Sequence, residues 1–133
     1  MEAPVDWKVT RSAKGLTAAP AGDETTLLAV YVLPLRTAFE PQLWPKVVPE
    51  LDGDAEALAR GLGGSVEHRR SLEVAGLKAR QYELSFRRDG ADVRERITFA
   101  LEGRREFELL CRWRADEGEP PECGLLATSF TPV

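Results

Sequence analysis

Two cysteines are the residues of this 133-residue chain whose positions most directly suggest chemistry. Cys111 falls late in a predicted strand and Cys123 falls early in the helix predicted to follow it, both on the predicted buried side. Such a pair either forms a disulfide, which would stabilise the C-terminal helix by roughly 3 kcal/mol, or remains as two buried thiols that pack like small apolar side chains. The spacing is not CxxC and a structural zinc site usually needs four ligands, so we predict no metal site.

His68 is the single histidine of the chain. It shares the strand alternation of Val66 and Leu72, which predicts that it points inward near Arg70. A nucleophilic pair with Cys111 would need an activated thiolate and a third group that orients the imidazole. Neither is visible in the sequence, so the favoured interpretation is a hydrogen-bonded or rim histidine. We therefore predict no catalytic residue and no cofactor.

Glu95 is predicted to lie on the apolar face of a strand. A carboxylate in that position must be paired or must line a wet cleft. Arg70 and Arg80 are the candidate partners, and a structural ion pair is the favoured interpretation. If a pocket exists between the sheet and the helices, we expect its polar lining to be His68, Arg70 and Glu95.

Residues 65–115 contain the elements that must position these side chains. The region reads as four consecutive strands, with turn signals at Ala75-Gly76, Asp89-Gly90 and Glu102-Gly103. Its apolar residues alternate with a period of two, as pleated strands require. The residues assigned to one core face are Val66, Leu72, Val74, Tyr82, Leu84, Phe86, Val93, Ile97, Phe99, Leu101, Phe107, Leu109, Cys111 and Trp113. The opposite, charged face is predicted to carry Glu83, Ser85, Arg94, Arg96, Glu106, Glu108, Arg112 and Arg114.

The turns predict how the strands pair. A two-residue turn at Asp89-Gly90 sets Phe86 opposite Val93, so that apolar residues meet. A two-residue turn at Glu102-Gly103 would set Phe99 opposite a glutamate. We therefore predict an odd-numbered loop over residues 101–103, with Gly103 in a left-handed bulge.

The flanking segments complete the predicted fold. Strands are predicted over residues 5–10 and 25–33, with a turn over 18–23 between them. Residues 34–50 contain four prolines, which predicts short helical turns rather than one long helix. A helix capped by Asp52 or Asp54 should run to about Leu62 and end at Gly63-Gly64, and a short helix should close the chain near residue 129.

Composition bounds the class of protein. Apolar residues make up 43% and charged residues 30%, which is typical of a soluble domain, and we expect one domain over residues 1–133. The net charge of -4 disfavours binding to nucleic acid through its phosphates. No stretch approaches the roughly 20 apolar residues of a membrane span. Residues 1–4 lack the features of a signal peptide, so we expect a cytoplasmic protein, or an exported one whose signal has been removed.

A set of motifs in order suggests a family. Val74-Ala75-Gly76 closes one strand, residues 99–103 read Phe-Ala-Leu-Glu-Gly, and residues 106–111 read Glu-Phe-Glu-Leu-Leu-Cys. Residues 125–130 read Leu-Leu-Ala-Thr-Ser-Phe. Over residues 65–130 this pattern resembles the C-terminal two-thirds of PsbP-like domains and of small bacterial proteins that share their α/β/α sandwich.

The resemblance implies a fold and a broad role. Members of that superfamily are typically non-enzymatic, and they include a photosystem II extrinsic subunit, a Ran-binding import factor, and DcrB-like or secretion-chaperone-like bacterial proteins. It implies an α+β domain in which a curved antiparallel sheet, a four-strand meander over 65–115 plus N-terminal strands, packs with short helices. It also implies a binding or accessory role, and no functional residue carries over from it.

We therefore expect a non-catalytic binding or adaptor domain, a monomer or weak dimer, whose partner is another protein. The predicted partner surface consists of Trp44 in the proline-rich segment and four arginines of the charged sheet face, Arg94, Arg96, Arg112 and Arg114. One alternative is a small-ligand carrier or minor hydrolase with a cleft near Glu95 and His68. A second is an immunity-type or secretion-chaperone-type partner.

Overall fold

The computed structural model describes residues 7–12, 15–20 and 26–130. Residues 5–6, 21–23 and 25 of the predicted N-terminal strands and turn lie outside them. The strands are β1 (Trp7–Ser12), β2 (Gly15–Pro20), β3 (Leu27–Phe39), β4 (Ser65–Val74), β5 (Leu77–Arg88) and β6 (Ala91–Arg114), and the helices are α1 (Trp44–Gly61) and α2 (Pro121–Ser129). Two 3-10 turns, Pro41–Leu43 and Ala115–Glu117, adjoin them. The sheet is antiparallel in the order β1-β2-β3-β6-β5-β4, which confirms the α+β class.

Tight turns join β4 to β5 and β5 to β6. Asp89 and Gly90 both have positive φ, 51° and 80°, as a type I′ turn requires. Ala75 and Gly76 have the same pattern, with φ of 52° and 80°. The predicted pairing of Phe86 with Val93 is confirmed.

β6 is assigned as one strand of 24 residues, but it folds back on itself. Extended, it would span roughly 80 Å. Yet Glu95 near its start forms a salt bridge with Arg112 near its end, at 3.7 Å. Residues 91–100 pair with β5, whereas residues 103–112 pair mainly with β3. The two halves of β6 therefore lie side by side, and the four-strand meander predicted over residues 65–115 is present.

The reversal of β6 differs from the predicted loop. Glu102 and Arg105 form an ion pair across it, and Gly103 has a φ of 55°. These contacts indicate a two-residue turn at Gly103 and Arg104, not an odd-numbered loop over residues 101–103. The turn sets Ala100 opposite Phe107, and these two residues pack in the same apolar cluster.

The sheet is buried on both faces, so the prediction of one core face and one charged face is wrong. The α1 face packs on α1 through Leu51, Ala55, Ala59, Tyr82, Leu84, Ile97 and Phe99. The α2 face packs near α2 through Ala18, Leu28, Val74, Ala79, Ala100, Phe107, Leu109, Cys111, Trp113, Cys123, Leu126 and Phe130. Two features shift the alternation between faces: a register irregularity between Val66 and His68, and the even turn of β6.

The proline-rich segment also departs from expectation. β3 continues through Pro34 to Phe39, and α1 begins at Trp44 instead of at Asp52 or Asp54. Proline is tolerated in the first turn of a helix, where Pro45 lies, and the helix also continues through Pro49, which lacks a backbone donor. The helix ends where predicted, with Leu62 as its C-cap and Gly63 at a φ of 75°. Among the described residues, neither helix is long and apolar enough to cross a membrane.

Candidate functional site: a cleft between α1 and β3

A cleft of about 560 Å³ opens on the α1 face between the end of β3 and the first half of α1. It forms because β3 advances by five positions, from Pro34 to Phe39, while its partner β6 advances by only two, from Arg105 to Gly103. The extra length carries this part of β3 out of regular pairing. We call it the α1–β3 cleft, and it is lined by Leu35, Arg36, Thr37, Ala38, Phe39, Leu43, Lys46, Val47, Glu50, Leu51, Asp54, Leu101 and Glu106.

The walls of the cleft are largely apolar. Leu35 and Phe39 come from β3, and Leu43 and Val47 come from the first turns of the helical segment; all four are half-buried. The ring of Phe39 meets that of Trp44 edge-on, with centroids 6.1 Å apart, and the ammonium of Lys78 lies 5.9 Å from the Trp44 ring. Trp44 thus supports the cleft from beside it.

Two half-buried glutamates lie on this face of the sheet: Glu106 lines the cleft, and Glu108 follows it two residues along β6. Burial, with the nearby carboxylates of Glu108 and Asp54, raises the pKa of Glu106 to about 7. Burial also raises the pKa of Glu108. Within the described part of the chain, neither glutamate has a lysine or arginine nitrogen within 4.0 Å. Burial therefore disfavours the charged form of both carboxylates, and no described lysine or arginine pairs with either of them.

The other carboxylates buried near α1 are paired. Asp52 on α1 accepts hydrogen bonds from the Tyr82 hydroxyl at 2.5 Å and from Arg80 Nε at 3.0 Å. Burial raises the pKa of Asp52, but the hydrogen bonds from Arg80 and Tyr82 together with the charges of Arg80 and Arg69 outweigh it, so the pKa lies below its ordinary value. This network joins α1 to β5, and sequence analysis missed it because no spacing relates residue 52 to residues 80 and 82.

The predicted pocket residues do not come together. Glu95 is only 3% exposed and lies on the α1 face, where it pairs with Arg112 and not with Arg70 or Arg80. Burial raises the pKa of Glu95, and the charge of Arg112 opposes that shift. His68 and Arg70 lie on the α2 face because the irregularity after Val66 shifts the alternation of β4.

His68 and Arg70 instead line a separate pocket of about 330 Å³. Arg70 Nε donates to the side-chain oxygen of Gln81 at 2.9 Å, and the Gln81 amide donates to the buried Thr98 hydroxyl at 3.0 Å. Arg69, Tyr82, Glu83 and Arg96 also line this pocket. No described cysteine or serine lines this pocket, so nothing there matches a nucleophilic pair.

The predicted partner surface is divided between faces. Arg94 and Arg96 lie on the α2 face, where Arg96 pairs with Glu119 and stacks over Trp113 at 5.4 Å. Arg112 lies on the α1 face with Glu95, and Arg114 is exposed at the end of β6. Trp44 is half-buried at the start of α1. The even turn in β6 separates the arginines, so these five residues do not form one surface.

Cys111 and Cys123 are joined as a disulfide, with their Cα atoms 5.6 Å apart. Both are buried, and the bond ties β6 to the start of α2. It corresponds to the first of the two alternatives for this pair. Across residues 7–12, 15–20 and 26–130, no group of three or more histidine, cysteine or acidic side chains is placed to hold a metal ion.

Comparison with known proteins gives a likeness of fold only. No protein-family model matches the chain, and neither does any curated protein. The chain is similar to a crystal structure described as "Protein of Unknown Function PA94 from Pseudomonas aeruginosa, Putative Regulator". The TM-score is 0.52 and the identity 12%, over 96% of this chain and 97% of that one. At this identity the match supports the α+β architecture and transfers no activity.

Proposed function

We propose that this protein is a non-catalytic binding domain that holds a segment of another protein in the α1–β3 cleft. The observation that carries the proposal is the apolar lining of this cleft by three separate parts of the chain, β3, α1 and the turn of β6. Grooves of this kind, between a helix and a sheet, accept apolar side chains of a partner segment while charged residues at the rim set its orientation.

The geometry favours binding over catalysis. A carboxyl with a pKa near neutrality, such as Glu106, has the property of a general base. A hydrolase would also need a nucleophile or an oriented water beside it, and the one hydroxyl among the described lining residues belongs to Thr37. His68 and Glu95, which were expected to line the alternative cleft, lie on opposite faces of the sheet, which disfavours a shared pocket. A small-ligand carrier would have to use the α1–β3 cleft instead.

The PsbP-like assignment stays part of the proposal. Helices on both faces of an antiparallel sheet agree with an α/β/α sandwich, and an accessory role agrees with a cleft built for apolar contact. The immunity-type and secretion-chaperone-type readings are narrower versions of the same function. The identity of the captured protein would decide between them.

Site-specific photocrosslinking tests the proposal. A photoreactive phenylalanine at Thr37, in the cleft, is compared with one at the exposed Gly124 of α2. We expect a discrete adduct with one cellular protein from position 37, lost when Val47→Asp places a charge in the cleft wall, and absent from position 124. The same adducts from both positions, or adducts indifferent to Val47→Asp, would contradict a binding role for the cleft.

A further inference from the structure

We infer that the segment bound in the α1–β3 cleft carries a lysine or arginine, whose cationic group lies beside Glu106 and Glu108 while neighbouring apolar side chains fill the cleft. This inference rests on the proposed function and names the chemistry of the partner.

The two glutamates are placed to share one cation. They occupy alternate positions of the same strand segment, so their side chains leave the same face about 7 Å apart at the backbone. Tyr31 lies opposite Glu108 and Leu33 lies opposite Glu106 on β3, and both are half-buried. An ammonium group has three donors and a guanidinium has five, so either can bond both carboxylates at once.

The charge at the cleft is unbalanced towards the acidic side. Glu50 and Asp54 of α1 face the cleft with Glu106, while the basic lining residues are Lys46 and Arg36. Neither Lys46 nor Arg36 lies within ion-pairing distance of Glu106. Arg104 also reaches this end of β3, but it donates to the backbone carbonyl of Arg36. The cation that would offset the glutamates is therefore not supplied by the described residues.

Two other carboxylates on the same face are paired with arginines. Asp52 is held by Arg80, and Glu95 is held by Arg112. Glu106 and Glu108 are half-buried with no such partner among residues 7–12, 15–20 and 26–130, and the pKa of each is raised. A half-buried carboxylate without a counterion is unfavourable, and an incoming basic side chain would remove that cost. An apolar segment without a basic residue would bury the carboxylates further and make their burial more unfavourable.

Selection of displayed peptides tests the inference. A library of random dodecapeptides is selected on the immobilised full-length protein at pH 8, and enriched peptides are synthesised and titrated by fluorescence polarisation. We expect them to combine apolar residues with a lysine or arginine. We also expect at least a tenfold loss of affinity when that residue is replaced by norleucine, and a comparable loss with the double variant Glu106→Gln, Glu108→Gln. Glu83→Gln on the α2 face is the matched control and should leave affinity unchanged.

Two variants distinguish a failure of the basic anchor from a failure of the cleft as the binding site. Peptides that lose binding with Val47→Asp but tolerate both glutamate substitutions would overturn the basic anchor and leave the cleft as the binding site. Peptides that tolerate Val47→Asp as well, or a selection that enriches nothing, would overturn both. Circular dichroism of each variant confirms that a loss of affinity is not a loss of fold.

Discussion

Arg112 Nη1 lies 3.7 Å from Oε1 of Glu95, although the two residues stand near opposite ends of a single assigned strand. The contact shows that β6 reverses direction at Gly103. It also neutralises a carboxylate that is only 3% exposed. This ion pair therefore joins the two halves of β6 and also supplies the counterion of a buried glutamate on the α1 face.

Removing Arg112 should leave Glu95 buried without the cation that pairs with it. We expect Arg112→Met to lower the free energy of unfolding by about 3–5 kcal/mol, the usual cost of breaking a buried pair from one side. Burial already raises the pKa of Glu95. When folding raises the pKa of a carboxyl, the folded protein loses stability as the pH rises through that pKa. The loss should therefore be larger at pH 8 than at pH 4.5 in urea titrations. Arg114→Met at the exposed neighbouring arginine is the control, and an equal effect there would contradict the assignment.

Glu106 should make stability depend on pH. Its pKa rises from 4.5 to about 7 in the folded protein, so its ionisation disfavours folding as the pH rises from 4.5 to above 7. Glu106→Gln removes that penalty. With partial solvent screening taken into account, we expect it to stabilise the protein by roughly 1–2 kcal/mol at pH 8 relative to its effect at pH 4.

Thermal or urea unfolding of wild type and Glu106→Gln across pH 4–8 measures this difference. Glu83→Gln on the α2 face controls for the loss of a negative charge in general. A Glu106→Gln variant whose advantage is the same at pH 4 and pH 8 would show that Glu106 does not titrate as described.

The disulfide should contribute measurably to stability. Cys111 and Cys123 are 12 residues apart, and closing a loop of this size is worth roughly 3 kcal/mol on the chain-entropy model. We expect dithiothreitol to lower the free energy of unfolding by about this amount in the wild type. The double variant Cys111→Ala, Cys123→Ala should not respond to reductant. Two reactive thiols in the unfolded, non-reduced wild type would mean that the bond is absent.

Two glycines should respond to alanine in opposite ways. A Cβ at Gly64 would collide with the backbone carbonyl of Ser85, so Gly64→Ala should destabilise the protein by roughly 1–3 kcal/mol. A Cβ at Gly53 on α1 meets nothing within 4 Å, so Gly53→Ala should stabilise by about 1 kcal/mol through helix propensity. Urea unfolding measures both. Similar effects of the two substitutions would count against the described approach of Gly64 to β5.

Local signals in the sequence predicted much of the fold. The Asp89-Gly90 turn predicted the correct pairing of β5 with the first half of β6, because two positive φ angles define a two-residue hairpin. Sequence reasoning failed where it assumed one buried face for the strands of residues 65–115. It rejected an even turn near Gly103 because that turn set Phe99 opposite a charged residue. In the structure an even turn is used, and Phe99 and Phe107 lie on opposite faces that are both covered.

The candidate site was missed for the same reason. Glu106 and Glu108 follow the charged alternation of an exposed strand, so the sequence predicted that they face solvent. They lie instead beside a helix that the four prolines of residues 34–50 argued against. A signal was available, because the apolar residues of 93–101 and of 107–113 mostly stand at odd positions. A two-residue turn between these segments places the two sets on opposite faces of the sheet, and both faces then need apolar partners. The register step in β3 that opens the cleft leaves no recognisable pattern in the sequence.

Amide chemical-shift mapping with a selected peptide tests the central claim most directly, because it locates the bound segment on the protein. We predict that shifts concentrate on residues 35–39, on 43–54 and at Leu101 and Glu106, the lining of the α1–β3 cleft. Shifts concentrated instead on the α2 face, around His68, Arg70 and Arg96, would contradict the account.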